Sequence, residues 1–100
     1  MDSRWQSKKR NLEDLKNVGK ATLRDLHVLG ISSVEELAHR DATQLFEQLE
    51  NQTGCRHDPC VWDVFAAIIH EAKTGEPTSW WTWTARRKIL QKTGKLTHVV

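Results

Sequence analysis

A chain of 100 residues, 38% hydrophobic and 28% charged, fits one domain of ordinary globular composition and leaves no room for two. No apolar run approaches the roughly 20 residues that span a bilayer, and the polar start Met1-Asp2-Ser3-Arg4 carries no signal-peptide core, so a cytoplasmic protein with no membrane partner is expected. The net charge of +2 hides a division: residues 1–10 are basic, residues 11–76 hold six basic against twelve acidic side chains, and residues 77–100 hold Arg86, Arg87, Lys88, Lys92 and Lys95 with no acid.

In chain order, residues 1–10 read as a basic tail, residues 11–92 as the domain and residues 93–100 as a second tail. Leu12 and Leu15, three apart behind Asn11 as N-cap, predict a short first helix. The pattern breaks at Asn17-Val18-Gly19, where the open dihedral range of glycine lets the backbone turn before a helical run from Lys20 to Leu29. Leu23, Leu26 and Leu29 share one side of that run, Gly30 caps it and Ile31 returns to the core. Ser32 or Ser33, each with a glutamate three residues on, starts a short helix over Val34–His39. Asp41 caps the next helix, in which Ala42, Leu45, Phe46 and Leu49 take the i, i+3, i+4, i+7 spacing of a buried stripe and which ends near Thr53-Gly54.

Asp58-Pro59 starts the following helix, because aspartate suits the N-cap and proline the first helical position. Val61, Val64, Phe65, Ile68, Ile69 and Ala72 line one broad face with Trp62 beside it, which makes this the most buried element. Thr74-Gly75-Glu76-Pro77 stops it, and Ser79 caps a last segment holding Trp80, Trp81 and Trp83 ahead of Arg86-Arg87-Lys88. With no alternating strand pattern, repeat or low-complexity tract, the class is all-α.

Leu15-Lys16-Asn17-Val18-Gly19-Lys20-Ala21-Thr22-Leu23, continuing to Leu29-Gly30-Ile31, resembles a helix-hairpin-helix motif and is similar to the C-terminal domain of the bacterial RNA polymerase alpha subunit. Thr53-Gly54, Arg56-His57-Asp58-Pro59-Cys60 and Trp80-Trp81-Thr82-Trp83-Thr84 with Arg86 and Lys88 extend the resemblance to a small bacterial family of helix-hairpin-helix proteins, the pathogenicity-locus family, over residues 10–90. The resemblance implies a compact five-helix, SAM-domain-like bundle with a Trp-rich end and a DNA-binding ancestry. In such modules the turn presents main-chain N–H groups to a phosphate, as any helix N-terminus favours an anion. Carried onto this chain, the donors are the amides of Val18, Gly19, Lys20 and Ala21, supported by the Lys16 and Lys20 ammoniums and the Thr22 hydroxyl. Contacts of this kind position nucleic acid without reading bases. Asn17 stands where the commonest phosphate-binding hairpins have their first glycine, and the turn survives because asparagine tolerates left-handed dihedrals. The second helical pair has His39-Arg40-Asp41-Ala42 at its turn and no glycine, so a single hairpin binds weakly.

Cys55, His57 and Cys60 could supply three zinc ligands, but a closed structural site needs four and His70 is ten residues past Cys60, so no metal or other cofactor is expected. Cys60 is expected in the first turn of its helix as an inward-facing free thiol. No nucleophile, base and orienting partner stand at a motif spacing, so the chain is not expected to be an enzyme. Trp80, Trp81 and Trp83 beside the basic run could stack single-stranded bases. At helical spacing, however, most of these rings should close over the core, with Trp81 the one left exposed. Two functions remain: weak, sequence-independent DNA binding through the hairpin and Arg86, Arg87 and Lys88, or a protein-interaction adaptor whose acidic body repels a polyanion.

Overall fold

The computed structural model describes residues 11–93, and within them all regular structure is helical. Five α-helices, α1 (Lys20–Val28), α2 (Val34–Ala38), α3 (Ala42–Thr53), α4 (Cys60–Thr74) and α5 (Thr84–Lys92), are joined by loops, with 3-10 turns at Leu12–Asp14 and Trp80–Trp83. The basic tail at 1–10 and residues 94–100 of the second tail lie outside the described residues.

The expected first helix is a single 3-10 turn. Asp14 and Leu15 donate to the carbonyls three residues back, and Leu15 is already extended at ψ 142°. So short a segment cannot recover the entropy of helix nucleation, but it suffices to bury both Leu12 and Leu15. At the start of α2 both serines are used. Ser33 Oγ accepts from the Glu36 amide at 3.1 Å, while the Glu36 carboxylate accepts from the Ser32 amide and hydroxyl at 2.7 and 3.0 Å. Those bonds to the charged form hold the Glu36 carboxyl below its ordinary range. In α3 the expected stripe of Ala42, Leu45, Phe46 and Leu49 is buried in full, Asp41 caps it through the Gln44 amide at 3.1 Å, and Gly54 ends it at φ 71°.

Helix α4 begins at Cys60, with Pro59 ahead of it rather than inside it. Asp58 still acts as the cap, because its carboxylate accepts from the Cys60 amide at 2.9 Å and is held below its ordinary range by that bond. The helix packs against α2, α3, α5 and the Trp80–Trp83 turn. Phe65, Ile68, Ile69 and Ala72 meet the core built by Leu26, Ile31, Leu37, Leu45, Phe46 and Leu49. At about 100° per residue, Asp63, Ala66, Ala67 and His70 fall on the other side, and there Asp63, Ala66 and Ala67 are buried too. The apolar spacing predicts one buried face for α4; the structure buries both, because the 78–92 segment covers the side that carries small alanines. The last segment divides at Thr84 into a 3-10 turn and α5.

Candidate functional site

The turn between Leu15 and Lys20 is held from behind by two long-range bonds. The Lys16 amide donates to the Glu71 carboxylate on α4 at 2.9 Å. The Asn17 side chain donates through Nδ2 to the Thr78 carbonyl at 2.7 Å. Asn17 has φ 78°, the sole left-handed non-glycine residue among those described. Asparagine is one of the few side chains that adopts this region readily, and here the amide that makes the conformation tolerable also ties the turn to the loop after α4. The side-chain amide is therefore engaged by Thr78 and does not cap α1.

That start has no side-chain cap. Gly19 is the N-cap in extended conformation, and a Cβ added to it would meet nothing within 4 Å. The first-turn amides of α1 lie beside the exposed side chains of Lys16, Lys20 and Ala21, with Thr22 half-buried. The Val18 amide, expected among the outward donors, instead bonds to the Leu15 carbonyl at 3.2 Å, because the turn closes on itself there. Chemically the site is an uncapped helix N-terminus with exposed lysines at Lys16 and Lys20, which favours an anion.

The basic run at 86–88 is not one surface cluster. Arg86 and Lys88 are exposed, but Arg87 points inward and is 8% exposed. Its Nε donates to Asp63 Oδ1 at 2.8 Å, and the Thr84 hydroxyl donates to Asp63 Oδ2 at 2.7 Å. Asp63 is fully buried, and a buried carboxylate must be paired, so α4 draws Arg87 away from any surface role. Sequence spacing does not reveal this partner. The only hint is an acid inside the otherwise apolar run from Val61 to Ile69.

The tryptophans separate by role. Trp62 is buried, with its indole N–H on Thr43 Oγ1 at 3.0 Å. Trp83 is half-buried against His70, with ring centroids 5.4 Å apart, and its indole N–H donates to the Thr78 hydroxyl at 3.0 Å. The Arg86 guanidinium lies 5.8 Å from the Trp83 ring centroid. Trp80 is half-buried, and Trp81, 62% exposed, packs nearly perpendicular to it.

Cys55 and His57 come together around Thr53. The Thr53 hydroxyl donates to the Leu49 carbonyl at 2.8 Å and so accepts from His57 Nε2 at 2.9 Å, with Cys55 Sγ 4.0 Å from that nitrogen. Cys60 starts α4 half-buried, and burial followed by the Asp58 hydrogen bond pushes its thiol up from the ordinary value. Among the described residues no three His, Cys, Asp or Glu side chains form a group able to hold a metal. Also among them, no helix is long and apolar enough to cross a membrane.

No solved structure matches the chain. It is 32% identical over 80 residues to the mitomycin resistance protein McrB of Streptomyces lavendulae, a match that covers 80% of this chain and 76% of the relative. The family model described as Cdd1, pathogenicity locus, matches residues 6–89, and with that span the chain belongs to the pathogenicity-locus family.

Proposed function

We propose that the chain is a helix-hairpin-helix module of SAM-domain-like architecture that binds DNA weakly and without reading its sequence. The 3-10 turn, Asn17 to Gly19 and α1 form the hairpin, and the first-turn amides of α1 take a backbone phosphate. The observation that carries this reading is the left-handed Asn17, whose side-chain amide bonds Thr78 while α1 begins just after it uncapped, with Lys16, Gly19 and Lys20 exposed. Arg86 and Lys88 add positive charge from α5, whereas Arg87 does not. A single hairpin on a body rich in acids meets few phosphates, so affinity is low and falls steeply with salt.

Fluorescence anisotropy with a labelled blunt duplex at low salt tests the reading. We expect binding that a Lys16→Glu/Lys20→Glu variant weakens by about tenfold or more, with the salt slope reduced by about 1 for each phosphate no longer neutralised. No binding, or binding indifferent to both lysines, overturns it. The name of the McrB relative supplies a cellular readout, survival in mitomycin with the wild-type chain against the same variant. The excess of acids between residues 11 and 76 favours a second reading, a protein-interaction adaptor. Its mark is a defined partner that stays bound after nuclease treatment while the duplex is not bound.

A further inference from the structure

We propose that Trp81 is a stacking platform for an unpaired base, so that the preferred ligand is duplex DNA carrying a single-stranded extension. The inference rests on the DNA-binding reading above and names its substrate class. Among the described tryptophans Trp81 alone is exposed, at 62%, although a ring of this size contributes more than almost any other side chain when buried. Trp80 packs nearly perpendicular to it, with centroids 5.7 Å apart and planes at 81°, a contact that steadies the indole while most of it stays exposed. A held, open indole suits a flat π-face, and a base has one to offer only when it is unstacked from its own helix.

Charge selects among flat ligands. No acidic side chain occurs between residues 77 and 100, and α5 presents Arg86 and Lys88 beside the exposed Ile89. An exposed indole on a segment that carries basic but no acidic side chains complements a base joined to a phosphate backbone.

Continuity links the platform to the turn. Thr78 accepts from Asn17 through its carbonyl and from Trp83 through its hydroxyl, so the hairpin and the Trp80–Trp83 turn share one loop. A duplex whose backbone sits on the amides of α1 would have the Trp80–Trp83 turn one loop away. Bases stacked inside the duplex cannot reach that surface, and an extension at its end can.

Anisotropy with two labelled ligands, a blunt duplex and the same duplex with a single-stranded thymidine overhang, tests the proposal on the full chain. The overhang duplex is expected to bind at least about fivefold more tightly. Trp81→Ala removes that advantage and leaves blunt-duplex affinity and melting temperature unchanged, while Trp81→Phe keeps part of it. Equal affinity for the two ligands, with blunt binding still sensitive to Lys16→Glu/Lys20→Glu, overturns the platform and leaves the hairpin reading standing. No binding to either duplex overturns both. An advantage that survives in Trp81→Ala, an acidic peptide bound as tightly as the overhang, or a dimer in sedimentation that Trp81→Ala dissociates also overturns it.

Discussion

The two sides of α4 are buried by different physics. Toward α2 and α3 the helix presents Phe65, Ile68, Ile69 and Ala72, and its neighbours add apolar surface, with the Thr43 hydroxyl that accepts from the Trp62 indole as a polar contact at the margin. Toward the 78–92 segment it presents Asp63, Ala66, Ala67 and His70, and what meets them is Arg87, Thr84 and Trp83 in defined hydrogen bonds and ring contacts. Apolar burial is non-directional and scales with area, so the first side supplies stability and tolerates small shifts. A buried ion pair roughly balances its desolvation against its attraction, so the second side adds little net stability but holds α5 at one register. The candidate site depends on both sides, because Glu71 of α4 and Thr78 just beyond it hold the Lys16–Asn17 turn.

Single truncations on the two sides should look alike, and double ones should separate them. Phe65→Ala leaves a cavity in the core and is expected to cost about 3–5 kcal/mol in urea denaturation. Asp63→Ala strands the Arg87 guanidinium in a buried site and is expected to cost a similar amount. The difference lies in rescue. Asp63→Leu with Arg87→Met is expected to return close to wild-type stability, while no second change of polarity restores Phe65→Ala. A double variant as unstable as Asp63→Ala alone would break the contrast.

The turn gives the next effect in size. Asn17→Ala combines about 1–2 kcal/mol of left-handed strain with removal of a hydrogen bond that contributes about 1 kcal/mol. Asn17→Gly removes the bond to Thr78 without left-handed strain and adds only the unfolded-chain freedom of glycine, so it is expected to cost about 1–2 kcal/mol, less than Asn17→Ala. Equal destabilisation in the two variants would show that the left-handed backbone at Asn17 carries no strain for alanine.

The smallest effect is a pH dependence. The carboxyls of Glu36 and Asp58 lie below their ordinary values of 4.5 and 3.8, so each favours the folded state when ionised. That contribution is complete above those values and is lost as pH falls through the lower folded values. Burial raises Asp25 instead, so its charge opposes folding at neutral pH and the opposition fades on acidification. Melting temperature from pH 7 to pH 2 is therefore expected to fall less in Glu36→Gln and Asp58→Asn than in wild type, and more in Asp25→Asn.

What is legible in the sequence follows the range of each interaction. α3 can be read nearly residue by residue, because its cap and buried stripe lie within one 12-residue helix. The left-handed Asn17 is equally local. The Asp63–Arg87 pair is not, since its partners stand 24 residues apart and Arg87 looks no different from Arg86 or Lys88 in sequence. Nor is the tie from Glu71 to the Lys16 amide, 55 residues away, because a backbone donor leaves no trace in a side-chain pattern. Exposure of Trp81 is legible from helical spacing. The structure adds the perpendicular Trp80 beside it and the link from the Trp80–Trp83 turn through Thr78 to Asn17.

Thr78 gives the molecule a built-in gauge. Its carbonyl senses the position of Asn17 and its hydroxyl that of the Trp83 indole, so strain at the turn reaches a fluorophore through one residue. A displacement of the turn would therefore disturb the polar partner of the Trp83 indole, which makes tryptophan emission the label-free signal to watch when the proposed phosphate site is titrated.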